Sequence, residues 1–563
     1  MKRSDLSLLG FRSVLIFLIV FSPIFIPGIN ATVSWKGTIS SNWDEPGNWD
    51  SGYVPIAEDD VLIPNSSQNN HSPVLSGNIE IGGLLIEDMV MLTVAKTARL
   101  TISGDLTNQG TLLIKMDTDE LASVIVRGDI LGSGESKIEF DFTSRTWWYA
   151  GHAMDGLVSS VYDAADPGKV KFYTYDNAIG DWSQIISNVE AFDEPLKGYH
   201  FNFKDPTTVT YSGLLYNGNY EMTPLGSGWW LMANPYPAYV DLNFEKDLPG
   251  TYWTFNNINK FVYLRTIING ERMVVTYDIN TPTNSHDVAT NYLAPMQAFW
   301  VKSSGNGTFG VNNGARFHDP DQGGLKATTL LPENVLRFKL INQYTYDYAA
   351  ICFDENGSLD YTMNDAEKFY EANGRVPKLY TKKGDKRIVI NKLPLIGDYT
   401  AIPLYIEIAS ESEGNLIFDA FNITDFNEDI TVILEDLKTG KHINLKDQPQ
   451  YEFYTEDVVD EKRFILHLTD NLVTKQVENE SLTEAVSIKK IGQKVTIRMD
   501  DNLFVNRSNP AIIRLITLTG EVLKQATVTS NTYELESPMN KHIYIVEVVV
   551  GGQRYSKKLF GSD

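Results

Sequence analysis

The sequence predicts an all-β chain of several tandem β-domains, and three observations carry that expectation. Tyr, Phe, Trp, Val, Ile and Thr are plentiful, 41 glycines and 23 prolines punctuate the chain throughout, and apolar residues come in short bursts between those turn formers. A chain of 563 residues exceeds what one hydrophobic core organises, which sets an expectation of roughly three to five domains. The 72 acidic residues outnumber the 48 basic ones, and a formal net charge of −24 would repel a phosphate backbone. Nucleic acid is therefore excluded as a partner class.

Residues 1–31 read as a secretory signal peptide. Lys2, Arg3 and Arg12 precede an apolar run over residues 14–26, and Pro27, Gly28 and the small Ala31 follow, with cleavage expected at Ala31. The run is too short, and too interrupted by Ser22 and Pro23, to be kept as a transmembrane helix.

Residues 32–145 carry the bursts LLI, MLTV, RLTI and TLLI, set about eight to twelve residues apart, which suits a short β-solenoid. A small β-sandwich fits the same periodicity. The entrance, SWKGTISSNWDEPGNWDSGYVPIAEDDVLIPN, resembles the opening module of many large secreted proteins of Gram-negative bacteria, through Trp35, Trp43, Trp49, Pro55, Asp60 and Val61. The resemblance implies that the tryptophans cap the first coil, and aromatic packing over an open ladder end gives the same expectation.

Residues 146–320 form an aromatic-rich stretch. The segments GSGWWLMANPYPAYVDL and LAPMQAFWVKSS resemble a β-domain common in the same class of exported proteins, through Gly228, Trp229, Asn234, Pro235, Tyr236, Pro237, Pro295, Gln297, Phe299, Val301 and Lys302. Glycine is common in that domain where this chain has Ala233, Met296 and Ala298. Asn234 and Tyr236 each precede a proline and are pushed out of the helical region, so the turn is a stiff, extended corner. Trp148, Trp230 and Trp253 are candidate stacking faces for a surface glycan. Neighbours on a strand point to opposite faces, so at most one of Trp229 and Trp230 is expected in the core.

Residues 325–469 continue in strands, among them VLRFKLIN, YAAICFD, RIVINKL, IPLYIEIA, ITVILED and RFILHL, with helical character only over residues 364–374. This stretch resembles the sandwich domain that precedes export tags in such proteins, including its LEDLKTGK hairpin and the Arg463 and Phe464 strand. Cys352 is the only cysteine, so no internal disulfide forms, and its apolar neighbours predict a buried thiol.

Residues 470–482 are polar and patternless, the signature of a linker. Residues 483–563 then carry eleven Lys and Arg against eight Asp and Glu, a net of +3 on an otherwise acidic chain. About seven short strands with turns at Gly492, Gly520, Pro538 and Gly551 predict an immunoglobulin-like sandwich. The strings LITLTGEVLKQ and YELESPMNKHIYIVEVVVGGQRYSKKLF resemble the C-terminal (type A) sorting domain of type IX secretion system cargo. The matching positions are Leu518, Thr519, Gly520, Tyr544, Val546, Val548, Gly552, Lys557 and Lys558, while His542 stands where that domain usually has glycine. The resemblance implies recognition by an outer-membrane translocon and a sortase-like peptidase, and a location outside or on the outer surface of a Gram-negative cell.

The chain has no G-x-S-x-G, H-E-x-x-H, Walker or G-x-G-x-x-G pattern, and its eight histidines are scattered. No catalytic residue, cofactor or metal site is expected, and His152, His318 and His467 read as ordinary strand or loop residues. The acidic runs at 117–120 and 319–321 offer oxygen ligands of the kind calcium takes, but solvated turns explain them as well. The expected function is non-catalytic: adhesion, scaffolding or ligand capture. The alternatives are an extracellular enzyme degrading polysaccharide or protein, with a carboxylate pair assembled from distant strands, and a carbohydrate-binding protein.

Overall fold

The computed structural model describes residues 32–66, 71–143, 147–155, 170–185, 194–242, 252–280, 283–284, 291–318, 334–369, 373–397, 399–421, 423–456, 458–470, 486–491, 494–500, 503, 510–517, 522–536, 543–550 and 553–560. Among them the regular structure is strand, with a few single-turn 3-10 segments. The stretch expected to be helical at 364–374 is turn and the short strand Ala366–Glu367, as far as it is described. Its apolar residue Ala366 is drawn into pairing with Ile390 on the neighbouring strand, and that tertiary contact overrides a weak local preference.

The first part is a parallel β-solenoid. Val61, Leu84, Leu106 and Ile130 stack in register, so one coil takes about 23 residues and contributes up to three short strands. A second column runs Ile81, Ile102, Val126 and a third Val94, Ile114, Ile138. The bursts seen in the sequence are thus the sides of a coil, and the repeat is the whole coil. Corners are tied by side chains that reach one coil up: Asp60 Oδ1 accepts from the Gly83 amide at 2.6 Å and Asp105 Oδ1 from the Asp129 amide at 2.8 Å.

At the open end, Trp35, Trp43 and Trp49 form a fully buried triad. Trp49 stands edge-on to both others, with ring centroids 4.9 Å from Trp35 and 4.7 Å from Trp43. At the far end Glu135–Phe142 pairs with Thr207–Leu215 in antiparallel fashion, so the sheet of the coils continues beyond residue 145. That antiparallel strand covers the growing edge of the ladder.

The middle of the chain is organised by the 14-residue strand Ala298–Val311, which pairs with Gly228–Ala233, Trp253–Ile258, Tyr220–Leu225 and Phe261–Ile268. The two segments singled out in the sequence lie side by side there, Trp230 opposite Val301 and Met232 opposite Phe299. The Asn-Pro-Tyr-Pro corner is locked by Asn234, whose amide donates to the carbonyls of Ala238 (2.8 Å) and Ala294 (2.9 Å) and whose Oδ1 accepts from the Tyr236 amide. Where the resembling domain has glycine, Met296 holds a left-handed φ of 59°. Ala233 and Ala298 instead find clearance across the packing: a Cβ on Gly151 would meet the Ala233 Cβ at 2.3 Å, and one on Gly198 the Ala298 Cβ at 3.1 Å.

An 11-stranded sheet follows, running from Lys441–Asn444 through Ile430–Asp436, Val458–Asp470 and Tyr399–Ile408 to Gln450–Thr455. One apolar cluster joins Phe261, Tyr263 and Trp300 of the middle sheet to Val335, Cys352 and Ile390 of this one. Cys352 is buried there, and burial pushes its thiol up to about 12, which keeps it protonated and inert. The tail is a sandwich of a three-stranded and a four-stranded antiparallel sheet around its own core, with Val495, Ile497, Ile513, Tyr544, Val546 and Val548 at its centre.

The acidic run at 117–120 is a closed turn. Asp117 Oδ1 accepts from the amides of Asp119 (2.8 Å) and Glu120 (2.6 Å), and Lys96 Nζ bridges Asp117 and Asp141, 2.8 Å from each. Burial alone would raise the Asp117 carboxyl, but Lys96 and the two amides outweigh it and hold it below the usual range. Lys96, then Thr208, does the same for Asp141. Both carboxyls are depressed in the folded state, so their contribution is complete above the unfolded carboxylate range of about 4 and is lost as pH falls through the lower folded values. The double substitution D117N/D141N is expected to lower the melting temperature at pH 7 and to flatten its decline as pH falls below the ordinary carboxylate value of about 4. Parallel melting curves for variant and parent across that window would contradict the assignment.

Candidate functional site

Three sets of residues bear on function: the tail, the aromatic stretch and a histidine cluster. In the tail, Tyr544 is 3% exposed in the sandwich core and pairs with Leu559 on the last strand. That strand, Gln553–Phe560, is hydrogen-bonded on one side only among the described residues and so presents a free edge. Lys557 is exposed on it, whereas Lys558 is half-buried, and desolvation lowers its ammonium pKa. Gly520, Gly552, Leu518 and Thr519 lie outside the described residues, as do Ala31 and the acidic run at 319–321. Across the sheet Arg514 Nη1 donates to the buried Glu547 at 2.8 Å, which ties the two central strands together.

Of the candidate stacking tryptophans, Trp253 is used for packing and the other two are half-buried. Trp253 is 3% exposed, its Nε1 donates to the Asp241 carbonyl at 2.9 Å, and its ring packs on Phe255 and Phe309. It offers no face to a sugar, which corrects the expectation from sequence. Trp148 is half-buried against Phe142, and Trp230 is half-buried with its Nε1 bonded to the Gly226 carbonyl. Trp229 and Trp230 do point to opposite faces, and each is half-buried against a cluster on its own side. Trp229 meets Tyr263 and Phe369 edge-on, while Trp230 packs on the cluster of Leu225, Phe299 and Val301. The strand is packed on both sides, so alternation does not leave one ring outside.

Buried acids in the two middle sheets are held by basic partners. Asp278 is paired with Lys392 at 2.6 Å and Asp365 with Lys383 at 2.7 Å, while Asp347 is paired with Lys368 and Glu367 with both Lys302 and Lys386. A general acid or base facing a second carboxylate across a groove is not what these contacts build.

Among the histidines, His152 Nδ1 is bonded to the Met154 carbonyl, and His318 bridges the hydroxyls of Thr101 and Ser123. His467 differs. Its Nε2 lies 2.8 Å from Glu435 Oε2, its Nδ1 lies 2.7 Å from the Tyr399 hydroxyl, and His442 Nε2 lies 3.7 Å from Glu435 Oε1. The ligating atoms of Glu435, His442 and His467 all lie within 4.8 Å of one another. Burial, reinforced by Glu435, pushes the Tyr399 hydroxyl up to about 12, so it stays neutral. Sequence spacing hid this group because Glu435 and His442 meet only across a hairpin ladder and His467 arrives from a third strand. The LEDLKTGK hairpin was the one available signal, since it places residues 435 and 442 opposite each other.

Residues 34–468 match the family model described as Domain of unknown function (DUF8693). No curated protein matches the chain. Among solved structures, a two fibronectin type-III domain segment of chicken tenascin is 13% identical, covering 26% of this chain and 93% of its own, at a TM-score of 0.12. The chicken CNTN1 FN1-FN3 domains are 8% identical, covering 42% of this chain and 91% of their own, also at 0.12. A Faecalibacterium prausnitzii beta-glucuronidase is 10% identical, covering 74% of this chain and 47% of its own, at 0.11.

Proposed function

We propose that this chain, which belongs to the DUF8693 family over residues 34–468, is a non-catalytic surface or secreted protein exported through the type IX secretion system, its last eighty or so residues serving as the export address. The observation that carries the reading is the tail itself. It has a hydrophobic core drawn from residues between 488 and 559, a charge of opposite sign to the rest of the chain, and a final strand paired on one side only among the described residues. An open edge with paired-strand geometry is a surface that a translocon can read by strand addition.

Residues 1–31 supply the first crossing and the tail the second. After the second, a sortase-like peptidase acts on the junction at 470–482. Removing residues 483–563 and fractionating the cells tests the reading. Accumulation of the truncated chain in the periplasm is the expected result, and surface display or release equal to the full chain would defeat it.

A further inference from the structure

We infer that Glu435, His442 and His467 bind one divalent cation of the zinc class on the 11-stranded sheet. The three residues sit on consecutive strands, Lys441–Asn444, Ile430–Asp436 and Val458–Asp470, so the ladder rather than a loop fixes their positions. Glu435 is directly opposite His442, and His467 is opposite Ile433, two places along from Glu435. Alternation puts all three on one face. Val432 and Leu434 on one side of Glu435, and Leu466 and Leu468 on either side of His467, point into the core on the other. Cross-strand and diagonal neighbours on one face are within reach of each other's tips.

The donor set fits the ion. Two imidazoles and a carboxylate are a recurrent three-ligand zinc arrangement that leaves a fourth position for water or another ligand. Zinc bonds of about 2.0 to 2.2 Å place tetrahedral ligand atoms roughly 3.4 Å apart, and here the spacings run from 2.8 Å to at most 4.8 Å. The Glu435 carboxylate already lies between the two imidazoles, one oxygen toward each. A cation at this point takes the place of the hydrogen between His467 Nε2 and Glu435.

Two further features mark the group as more than a surface ion pair. The side chains are only 14%, 15% and 7% exposed, although they lie on the face opposite the core. And His467 has the outer partner that ligating histidines keep: its Nδ1 is held by the Tyr399 hydroxyl from the next strand, which fixes the ring with Nε2 toward Glu435. Imidazole nitrogen selects zinc, nickel and copper over calcium and magnesium, which take oxygen. Because His442 is on the edge strand and His467 two strands in, the ion would clamp the edge hairpin to the sheet.

The test uses the untagged exported chain, stripped with chelator and titrated with zinc chloride, with bound metal counted by mass spectrometry and the cobalt form examined for four-coordinate absorption bands. One equivalent of zinc, four-coordinate cobalt bands and a raised melting temperature are expected. H442Q changes a partly exposed residue of an edge strand, and is expected to weaken zinc binding at least about 100-fold with an unchanged far-ultraviolet spectrum. Y399F, which leaves all three ligands in place, should weaken it about 10-fold, and H71A should leave it intact. Failure of the folded parent to take up zinc, or uptake that H442Q does not change, would overturn the inference. If H467A fails to fold, H442Q and Y399F still decide.

Discussion

Trp49→Ala is expected to destabilise the solenoid by about 3 to 5 kcal/mol, the range for deleting a large buried aromatic. The ring is fully buried, stands edge-on to Trp35 and Trp43, and donates from Nε1 to the Trp43 carbonyl at 2.8 Å. Its backbone is equally committed: Trp35 and Trp49 bridge in antiparallel fashion, and the Lys36 amide donates to the Asn48 carbonyl. Alanine would leave a cavity under the first coil, where Thr32–Ser34 and Asp60–Ile63 pair in parallel. Each coil is stabilised chiefly by its neighbours, so losing the cap should unzip the stack from that end. Amide hydrogen exchange reads this directly. Peptides covering residues 60–63 and 84–86 should lose protection first, with little change in the tail. Exchange in those peptides matching the parent would show that the triad is not a cap.

The same coils show what the sequence made legible. Solenoid, tryptophan cap, aromatic middle and seven-stranded tail were all readable, because each depends on alternation, turn residues and apolar bursts that are local in the chain. The 23-residue coil was missed, since its signal lies in the vertical stacking of Val61, Leu84 and Leu106, and single residues of mixed type carry too little periodicity to reveal it. Exposure of Trp253 was misjudged because the face of its strand that meets the core is set by packing on Phe309, which is far away in sequence. The histidine cluster was invisible because its members belong to three strands whose register only folding sets. Helical character at 364–374 failed where Asp365 and Ala366 are pulled into the sheet by partners far away in sequence.

Asp365 leads to the other large effect. Its carboxylate is fully buried, accepts from Lys383 Nζ at 2.7 Å, and also takes the backbone amides of Lys392 and Thr362, each at 2.9 Å. Lys383→Met keeps the volume and removes the counter-charge, leaving an ionised or newly protonated carboxyl in a dry site, at an expected cost of about 3 to 5 kcal/mol. The loss should spread past the pair. Lys383 Nζ also donates to the Lys392 carbonyl, and Lys392 in turn holds the buried Asp278 of the middle sheet at 2.6 Å. These links run along the apolar cluster that joins the two sheets, so a weakened Lys383 loosens that junction first. Adding Asp365→Asn removes the charge, because asparagine needs no cation and its single carbonyl oxygen still accepts from the Lys392 amide on the Oδ1 side, although the Thr362 amide loses its acceptor. K383M/D365N should therefore recover part of the stability lost by K383M. A double variant no more stable than K383M in urea unfolding would mean that lysine acts there through its stem, and that the buried charge is not what its ammonium compensates.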